Sequence, residues 1–373
     1  MNIPELRFPE FEGEWEKKKL GEVTDSISSG KSNNKLAFGE FPFYGSTGLI
    51  GYTNNYGYTG KIILIARVGA NAGSLYKVDG KYSVSDNTLM LKINDKGILD
   101  FVQYYLNKYD LNKLVFGSGQ PLITGGHLKE LSLYFPDLPE QSKIATFLTA
   151  VDEKLQALKK KKSLLEVYKK GVMQKLFSQE LRFRSGDGKE FGDWEEKKGR
   201  DLFSAISNKN HKSDLPILAI SQEFGAVPRE MINYQISVTE KSVESYKIVE
   251  IGDFIISLRS FQGGIEYSNY KGICSPAYII LRNTKPINSI FFKYYFKTEY
   301  YIQRLCEKLE GIRDGKMISY QYFSEIELPY PSVQEQTRIA NFISILDEKI
   351  NHTQTEITKT EVWKKGLLQK MFV

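Results

Sequence analysis

The sequence predicts an α+β protein with a pseudo-twofold repeat, in which two mixed α/β domains are separated by two long helices packed as an antiparallel coiled coil. Three observations predict this fold class. The chain repeats itself, each repeat closes with a long apolar stripe of helical spacing, and the segments between the stripes contain short runs of β-branched residues. A length of 373 residues is also more than one ordinary domain needs.

A long repeat divides the chain into two similar halves. Residues 136–177 match residues 331–372 at a constant shift of 195 positions, and the opening motif Glu5-Leu6-Arg7-Phe8 matches residues 180–183 at a different shift. If the chain were a circle, the second helical repeat would run into the first opening motif, so the chain ends are predicted to lie close together. The matched helical positions include Glu140, Gln141, Asp152, Glu153 and Lys154 in the first copy and Glu335, Gln336, Asp347, Glu348 and Lys349 in the second.

Each copy of the helical repeat carries an apolar stripe that begins just after a proline-marked loop. Apolar residues recur every three or four positions, which is the spacing of a coiled-coil seam. A run of roughly 38 helical residues is about 57 Å long, and two such stripes most simply bury each other as an antiparallel pair. The alternative is two ordinary core helices without a spacer role. The predicted seam contains Ile144, Leu148, Val151, Leu155 and, further along, Tyr168 in the first copy, and Ile339, Ile343, Leu346, Ile350 and Trp363 in the second.

The segments between the helices are predicted to form two mixed α/β domains. Runs such as 61–66 and 253–258 predict strands, because they are short, rich in β-branched residues and bounded by Gly, Pro or Asn. The stretches 101–114 and 290–309 predict helices whose aromatic faces belong to the core. The halves are only faintly alike, which predicts one fold with two different surfaces. The predicted division is residues 1–135 for the first domain, 136–178 for the central helical spacer, 179–330 for the second domain and 331–373 for the distal spacer.

Composition narrows the possible classes of protein. The net charge of +6 fits an acidic partner such as nucleic acid without requiring one. The sequence has no run of eighteen apolar residues and no secretory signal pattern at its start, so a cytoplasmic location without a membrane span is expected. Two cysteines and three scattered histidines provide neither a disulfide framework nor the spacing of metal ligands. No metal site is therefore expected.

Several fragments imitate catalytic motifs but lack the spacing that the chemistry needs. Gly30-Lys31-Ser32 ends like a phosphate-binding loop, but Asp25 stands where that loop requires its first glycine. Asp137 followed by the triplet at 152–154 superficially suggests a metal-dependent nuclease, yet Ser332 replaces Asp137 in the second copy. We interpret the triplet as surface charge on a helix. No catalytic residue is predicted, and the chain is expected not to be an enzyme.

Over essentially its whole length the chain resembles the specificity subunit of type I restriction-modification systems. The resemblance is carried by the Leu-Pro-Glu-Gln-x-x-Ile-Ala-x-Phe-Leu start of the first helix at 138–148, by its diverged copy at 333–343, where Gln334 replaces Pro139, by the Asp-Glu-Lys triplets and by the Trp-x-x-Lys-Lys openings. The resemblance implies two target recognition domains, each of which reads one half of a bipartite, asymmetric DNA site. The helical pair would set the gap between the half-sites and dock the methyltransferase subunits.

The same resemblance implies partners and cofactors. The expected partners are double-stranded DNA, two methyltransferase (modification) subunits, and restriction subunits that act as translocases. No cofactor is expected in this chain, whereas S-adenosylmethionine, ATP and Mg are expected on the partner subunits. The alternative to DNA recognition is a helical-spacer scaffold that joins proteins without DNA contact, and salt-dependent DNA binding by the assembled complex would distinguish the two.

Candidate DNA contacts lie in loops after predicted strands. Sequence readout requires side chains that reach base edges, while phosphate contacts position the protein. Arg67 with Asn71 in the first half, and Arg259 with Gln262 in the second, stand beside glycines that permit close backbone approach. A structural salt bridge is the alternative for each arginine. One polar loop near the start of each half offers further candidates, as phosphate contacts or as solvated turns: Lys31 and Asn33 in the first half and Lys209 in the second.

Overall fold

The architecture is that of a computed structural model of the chain, which describes residues 2–117, 121–212, 214–232, 243–258, 260–307 and 318–373. The chain forms two compact units. The first unit contains Met1–Lys161 together with Thr353–Val373, and the second contains Lys162–His352. Within the described residues, no helix is both long enough and apolar enough to cross a membrane.

The first unit contains two four-stranded sheets and a two-stranded ribbon. One sheet is antiparallel with the order β2-β9-β6-β7, and the other has the order β4-β3-β8-β5 with β3 parallel to β8. Strands β1 and β10 form the antiparallel ribbon. The strands are β1 (Glu16–Lys19), β2 (Thr24–Ser29), β3 (Phe41–Gly45), β4 (Gly48–Thr53), β5 (Tyr58–Thr59), β6 (Ile62–Ala66), β7 (Leu75–Val78), β8 (Lys81–Val84), β9 (Thr88–Ile93) and β10 (Ser132–Phe135).

Two short helices, α1 (Leu99–Tyr109) and α2 (Gly125–Glu130), complete the first unit together with parts of the long helices. The predicted helix at 101–114 is correct in its first part and wrong in its continuity. Asp110 adopts a left-handed conformation with φ 63°, and its carboxylate accepts a hydrogen bond from the Asn112 N–H. This local bond ends α1, and a separate 3-10 turn follows at Leu111–Leu114.

The second unit repeats the strand pairing of the first. Its strands β12-β19-β16-β17 stand in the order of their first-unit counterparts, and β11 pairs with β20 as β1 pairs with β10. The remaining strands form the antiparallel pairs β13-β14 and β15-β18, and a parallel bridge between Ile217 and Ile273 joins the two pairs as β3 joins β8 in the first unit. The strands are β11 (Glu195–Lys198), β12 (Phe203–Ile206), β13 (Leu218–Ser221), β14 (Gly225–Pro228), β15 (Lys247–Val249), β16 (Phe254–Ile256), β17 (Glu266–Tyr267), β18 (Gly272–Cys274), β19 (Ile279–Asn283) and β20 (Glu327–Tyr330).

The short helices of the second unit correct a second detail. The single helix predicted at 290–309 is two helices, because Thr298 accepts a hydrogen bond from the Tyr301 N–H and so caps a new one. The last two residues of that predicted stretch lie outside the described residues. Numbered after the long helix α3 (Leu138–Phe177), the helices are α4 (Gly199–Leu202), α5 (Ser260–Gly263), α6 (Ser289–Tyr295), α7 (Glu299–Glu307), α8 (Tyr320–Ser324) and the second long helix α9 (Val333–Lys370).

The long helices start at matched caps and run for 40 and 38 residues. The Glu140 N–H donates to the Asp137 carboxylate at 3.0 Å, and the Glu335 N–H donates to the Ser332 hydroxyl at 3.2 Å. Aspartate and serine are both favoured at the amino-terminal cap, where they satisfy a free backbone N–H. Asp137 in the first copy and Ser332 in the second therefore serve the same purpose, which is to cap the long helix.

The two long helices run antiparallel, as predicted. In the first unit, the beginning of α3 shares a core with the end of α9, through Ile144 and Leu148 on one side and Leu367 and Met371 on the other. In the second unit, the end of α3 shares a core with the beginning of α9, through Leu176 and Ile339 among others. In both units these helical residues belong to the same core as the adjoining α/β residues.

The predicted seam is wrong at one matched pair of positions and correct on both sides of it. Tyr168 is 53% exposed and Trp363 is 46% exposed. Leu176 and Leu367, which lie further along the same helices, are buried. Near the starts, Ile144, Leu148, Val151, Ile339, Ile343 and Leu346 are buried, while Leu155 and Ile350 are half-buried.

The residues near the two chain ends meet in the first unit, as the circular repeat predicts. The Leu6 N–H donates to the Lys370 carbonyl at 2.8 Å, and the Phe372 ring packs against Tyr105 with centroids 4.9 Å apart. In the second unit the Leu181 N–H donates to the Lys175 carbonyl at 3.0 Å. The same contact is therefore made once between distant chain segments and once within a continuous segment.

Candidate functional site

A buried glutamate fixes the start of each long helix. Glu140 is 1% exposed and accepts two hydrogen bonds from Arg7, at 2.8 Å from Nε and 2.7 Å from Nη2. Glu335 accepts the same pair of bonds from Arg182, at 3.1 and 2.9 Å. These side-chain hydrogen bonds raise the pKa of both arginines. A carboxylate buried this deeply requires a charged, hydrogen-bonded partner, and the arginine of each opening motif supplies it.

The glutamine that follows each glutamate is also buried and fully used. Gln141 donates from Nε2 to the Pro136 carbonyl at 2.9 Å and accepts from the Ile98 N–H at 3.0 Å. Gln336 donates to the Pro331 carbonyl at 2.8 Å, and its oxygen accepts a backbone N–H just before α6 at 2.8 Å. Both ends of each amide make a hydrogen bond, so the residue ties the start of the long helix to the segment that opens an earlier helix of its unit, α1 or α6.

The aspartate of each triplet joins three elements and is more than surface charge. Asp152 accepts a hydrogen bond from the Tyr104 hydroxyl at 2.8 Å and pairs with Lys364 at 2.5 Å. In the second unit Asp347 binds Tyr294 at 2.8 Å and Lys169 at 2.5 Å. Burial raises the pKa of both tyrosines, so they remain protonated donors at neutral pH. Our interpretation of the triplet as surface charge is wrong for its aspartate, which holds both long helices to the domain.

These matched residues form a structural frame, which we define as Arg7, Tyr104, Glu140, Gln141 and Asp152 with their counterparts Arg182, Tyr294, Glu335, Gln336 and Asp347. Every carboxylate in the frame has its hydrogen-bond partners within the protein. In the described parts of the chain, no group of three or more His, Cys, Asp or Glu residues is placed to hold a metal ion. The frame positions the rest of each unit.

Arg67 emerges directly after β6 in the first unit. Its backbone is fixed on both sides, because its N–H donates to the Asn87 carbonyl and its carbonyl accepts from the Ile123 N–H, both at 2.9 Å. Its side chain is half-buried and has no hydrogen-bond or ion-pair partner among the described residues. No described residue therefore forms the structural salt bridge that was the alternative role for Arg67. Gly69, two residues on, has φ 79° and open space beside its Cα.

Two separate concave surfaces in the first unit hold the other candidates. Exposed Asn71 lines a concavity of about 640 Å³ with Ser46, Thr47 and Tyr76. Asn33 lines a second one, of about 680 Å³. The exposed Lys31 precedes this second surface, and its N–H donates to the Tyr58 hydroxyl at 3.1 Å. The structure therefore does not bring Asn33 and Asn71 into one concavity.

Three residues of the second concavity were not predicted from the sequence: Asn54, Asn55 and Tyr56. They follow β4 in a polar loop, and the adjacent pair of asparagines was a visible signal. Their proximity to Asn33 depends on strand pairing: Leu36 and Tyr52 exchange backbone hydrogen bonds at 2.8 and 2.9 Å. This pairing places the loop at 33–35 beside the loop at 54–57.

Two of the three candidates in the second unit can be placed. Arg259 lies outside the described residues, while Gln262 is exposed on α5. Lys209 is exposed in a segment that lies beside β15, since the Ile248 N–H donates to the Asn208 carbonyl at 2.7 Å. Lys209 and Gln262 are thus accessible.

Exposed apolar side chains recur at matched positions of the repeat. We call Leu6, Leu138, Val362 and Trp363 the first apolar set, and Leu181, Val333, Val167 and Tyr168 the second. Their exposed fractions run from 40% for Leu138 to 68% for both valines. Each valine is followed four residues later by a glycine, Gly366 or Gly171, with open space beside it. A duplicated apolar surface is suited to a partner that binds twice.

Comparison with known proteins agrees with this architecture. The family model for "Type I restriction modification DNA specificity domain" matches residues 12–167 and 191–361. The type I restriction enzyme MjaVIII specificity subunit of Methanocaldococcus jannaschii is 26% identical over 333 residues, which cover 82% of this chain and 77% of that protein.

Two solved structures share the fold. The crystal structure of a type I restriction-modification S subunit from M. genitalium has a TM-score of 0.66 at 18% identity, with coverage of 100% of this chain and 99% of that one. A chain from a study of complex assembly and conformational transition of the type I R-M system has a TM-score of 0.54 at 16% identity, with coverage of 96% and 97%.

The frame makes a prediction about stability. Replacing Glu335 with Ala removes the acceptor of two Arg182 hydrogen bonds and of one from Trp194 Nε1 at 3.0 Å. We expect the free energy of unfolding to fall by about 2 kcal/mol or more, because the half-buried donors of Arg182 and Trp194 lose their charged acceptor. Urea unfolding measures the change. The matched control is Glu348→Ala, an exposed position on the same helix, where we expect a change within about 0.5 kcal/mol. Equal effects of the two substitutions would contradict the role of the frame.

Proposed function

This chain belongs to the family of type I restriction-modification DNA specificity subunits, and from that premise we propose that residues 1–135 and 179–330 are two target recognition domains, each of which reads one half of a bipartite, asymmetric DNA site. As a specificity subunit, the chain recognises DNA target sequences and is a non-catalytic member of its complex. Our proposal is that the two domains read separate half-sites.

One observation carries this proposal: the same frame supports two unlike surfaces. The sheet β2-β9-β6-β7 has its counterpart in β12-β19-β16-β17, and both ribbons pair in the same way. The pairs β13-β14 and β15-β18 also correspond to the second sheet of the first unit, because a parallel bridge between Ile217 and Ile273 joins them as β3 joins β8. The side chains on the loops differ: Asn54-Asn55 follow β4, whereas Arg229-Glu230 follow β14. Two copies of one surface would suit a palindrome. Two different surfaces on one frame suit two different half-sites.

The helical segments, residues 136–178 and 331–373, would set the gap between the half-sites. A helix of 40 residues is about 60 Å long. DNA rises about 3.4 Å per base pair, so this length limits the gap to fewer than about 18 base pairs. The buried residues near the helix starts, such as Leu148 and Ile343, support this role because they merge each helix with a rigid core.

The DNA contacts that we propose are exposed or half-exposed polar side chains on the unlike surfaces. Arg67 offers a guanidinium fork with no partner among the described residues, and forks of this kind bind guanine edges or phosphate. Asn71 stands in a concavity, and its amide suits adenine. The remaining members of the proposed set are Lys31, Asn33, Lys209, Gln262 and, outside the described residues, Arg259.

The partners that we propose are two methyltransferase subunits, which dock on the two apolar sets, together with the restriction subunits of the system. The matched exposure of Val362 and Val167 supports two equivalent docking surfaces. The open glycine one turn after each valine would let a partner helix approach closely. S-adenosylmethionine, ATP and Mg would be bound by these partners, as membership of the specificity-subunit family suggests.

Exchanging one recognition domain tests the division of labour. Residues 1–135 are replaced by the matching segment of another specificity subunit with a different target, chosen to keep an arginine at position 7 and a tyrosine at position 104. Methylation-aware sequencing of a host that carries the exchanged chain and its methyltransferase should show one half-site changed and the other kept. Arg67→Ala in the original chain should relax or weaken the same half-site only.

Two results of this exchange would contradict the proposal. An unchanged motif would show that residues 1–135 do not read DNA. Changes in both half-sites would show that the two domains do not read separately. The reciprocal exchange of residues 179–330 serves as the control and should alter only the other half-site.

A charge on an apolar set tests the docking of partners. Val362→Glu should lower the number of bound methyltransferase subunits from two to one, because a buried carboxylate without a partner is costly at an apolar contact. Val167→Glu should do the same, and the double variant should bind none. Native mass spectrometry of the purified complex counts the subunits.

The matched control for docking is Leu49→Glu, which places the same charge on a 51% exposed leucine without a repeat counterpart among the exposed residues. It should leave two methyltransferase subunits bound. Two bound subunits in the double variant would exclude the apolar sets as docking surfaces.

A further inference from the structure

The second concavity of the first unit is lined by four asparagines. Asn33 and Asn34 come from the loop after β2, and Asn54 and Asn55 come from the loop after β4. All four are exposed, and none of their side-chain amides makes a hydrogen bond to the described residues. By contrast, the Asn94 amide elsewhere in the unit donates to the Glu22 carbonyl at 3.0 Å. The four amides are therefore available to a ligand.

The loop that carries Asn54 and Asn55 is held by its backbone. The Asn55 carbonyl accepts from the Thr53 hydroxyl at 2.9 Å and from the Ser83 hydroxyl at 3.2 Å, and the Gly57 N–H also donates to the Ser83 hydroxyl at 3.2 Å. Thr53 and Ser83 are both buried. Because the backbone is fixed from within, the two amides are presented to solvent at little further entropic cost on binding.

Phe38 precedes Gly39, which packs against the backbone of Thr53 at this surface. Phe38 is 87% exposed, which makes it the most exposed large apolar side chain among the described residues. Its neighbours on both sides are pinned, since Leu36 is paired with Tyr52 and Gly39 lies so close to Thr53 that an added Cβ would come within 2.8 Å of the backbone. Phe38 thus stands on a fixed segment with its ring in solvent.

Basic groups flank the same surface. Lys31 and Lys35 are exposed on the first loop, and Lys81 lies with its Nζ 4.8 Å from the centre of the Tyr56 ring. Lysines at the edge of a polar concavity suit phosphate groups, which position a duplex without reading it. The surface therefore combines positioning charges at its edge with amides and one aromatic ring for readout.

From this arrangement we propose that this surface reads an A·T base pair in one half-site, with the amide of Asn54 or Asn55 as the adenine reader and Phe38 in contact with the thymine methyl group. An asparagine amide donates to adenine N7 and accepts from its N6 amino group, and the major groove presents the thymine methyl to apolar side chains. The inference rests on the proposed function, which assigns the first unit to one half-site.

The test uses the full chain with its methyltransferase subunits in a host that lacks the system. With Asn54→Ala and Asn55→Ala combined, methylation-aware sequencing should show one A·T position of one half-site relaxed, with discrimination against other bases reduced about fivefold or more. Phe38→Ala should relax the thymine of that pair. The other half-site is the internal control for folding and assembly, and it should be kept.

The matched control is Asn107→Ala, an exposed asparagine on α1 of the same unit, which should leave the motif unchanged. An unchanged half-site in the Asn54/Asn55 double variant overturns the inference, as does relaxation at a G·C position. A wild-type motif without two parts would instead overturn the proposed function.

If the double variant methylates no site, binding replaces methylation as the readout. The purified complex is titrated with duplexes that carry A·T or G·C at each position of the half-site. A lower A·T preference at one position supports the inference, and an unchanged preference at every position overturns it.

Discussion

The rest of the structure depends on the buried glutamate near the start of each long helix. Glu140 and Glu335 are each 1% exposed and are neutralised by an arginine from the opening motif of the same unit. A buried carboxylate without its partner is strongly destabilising, so this contact fixes where the opening segment meets the helix. The adjacent glutamine and the aspartate of the triplet extend the contact to the helices that carry Tyr104 and Tyr294. The frame positions the sheets and loops that form the surface of each unit.

A frame of this kind separates stability from recognition. Its members are buried or paired inside each unit, and they recur in both copies with the same partners. The surfaces beyond it differ in the side chains exposed, so they can change without loss of the contacts that fold the unit. The apolar sets repeat in both units, as the frame residues do. The asparagine-lined concavity and Arg67 belong to the surfaces that differ between the units.

The sequence alone predicted the elements that repeat and the antiparallel helices, because identical buried residues at a constant shift are visible without a structure. It did not predict the role of Asp152, since a carboxylate on a helix looks like surface charge until Tyr104 and Lys364 are brought to it by the fold. Nor did the apolar spacing reveal that Tyr168 is exposed while Leu176 on the same helix is buried. Asn54 and Asn33 come together only through strand pairing, and such non-local contacts leave no periodic signal.

The central claim is that one frame carries two different readers. Methylation-aware sequencing of a genome that carries this unaltered chain and its methyltransferase, compared with the same genome without the chain, tests it most directly. We expect one methylated motif with two unlike half-sites and a fixed gap, and we expect it only in the genome that carries the chain. A palindromic motif, a continuous motif, or the same methylation in both genomes would contradict it.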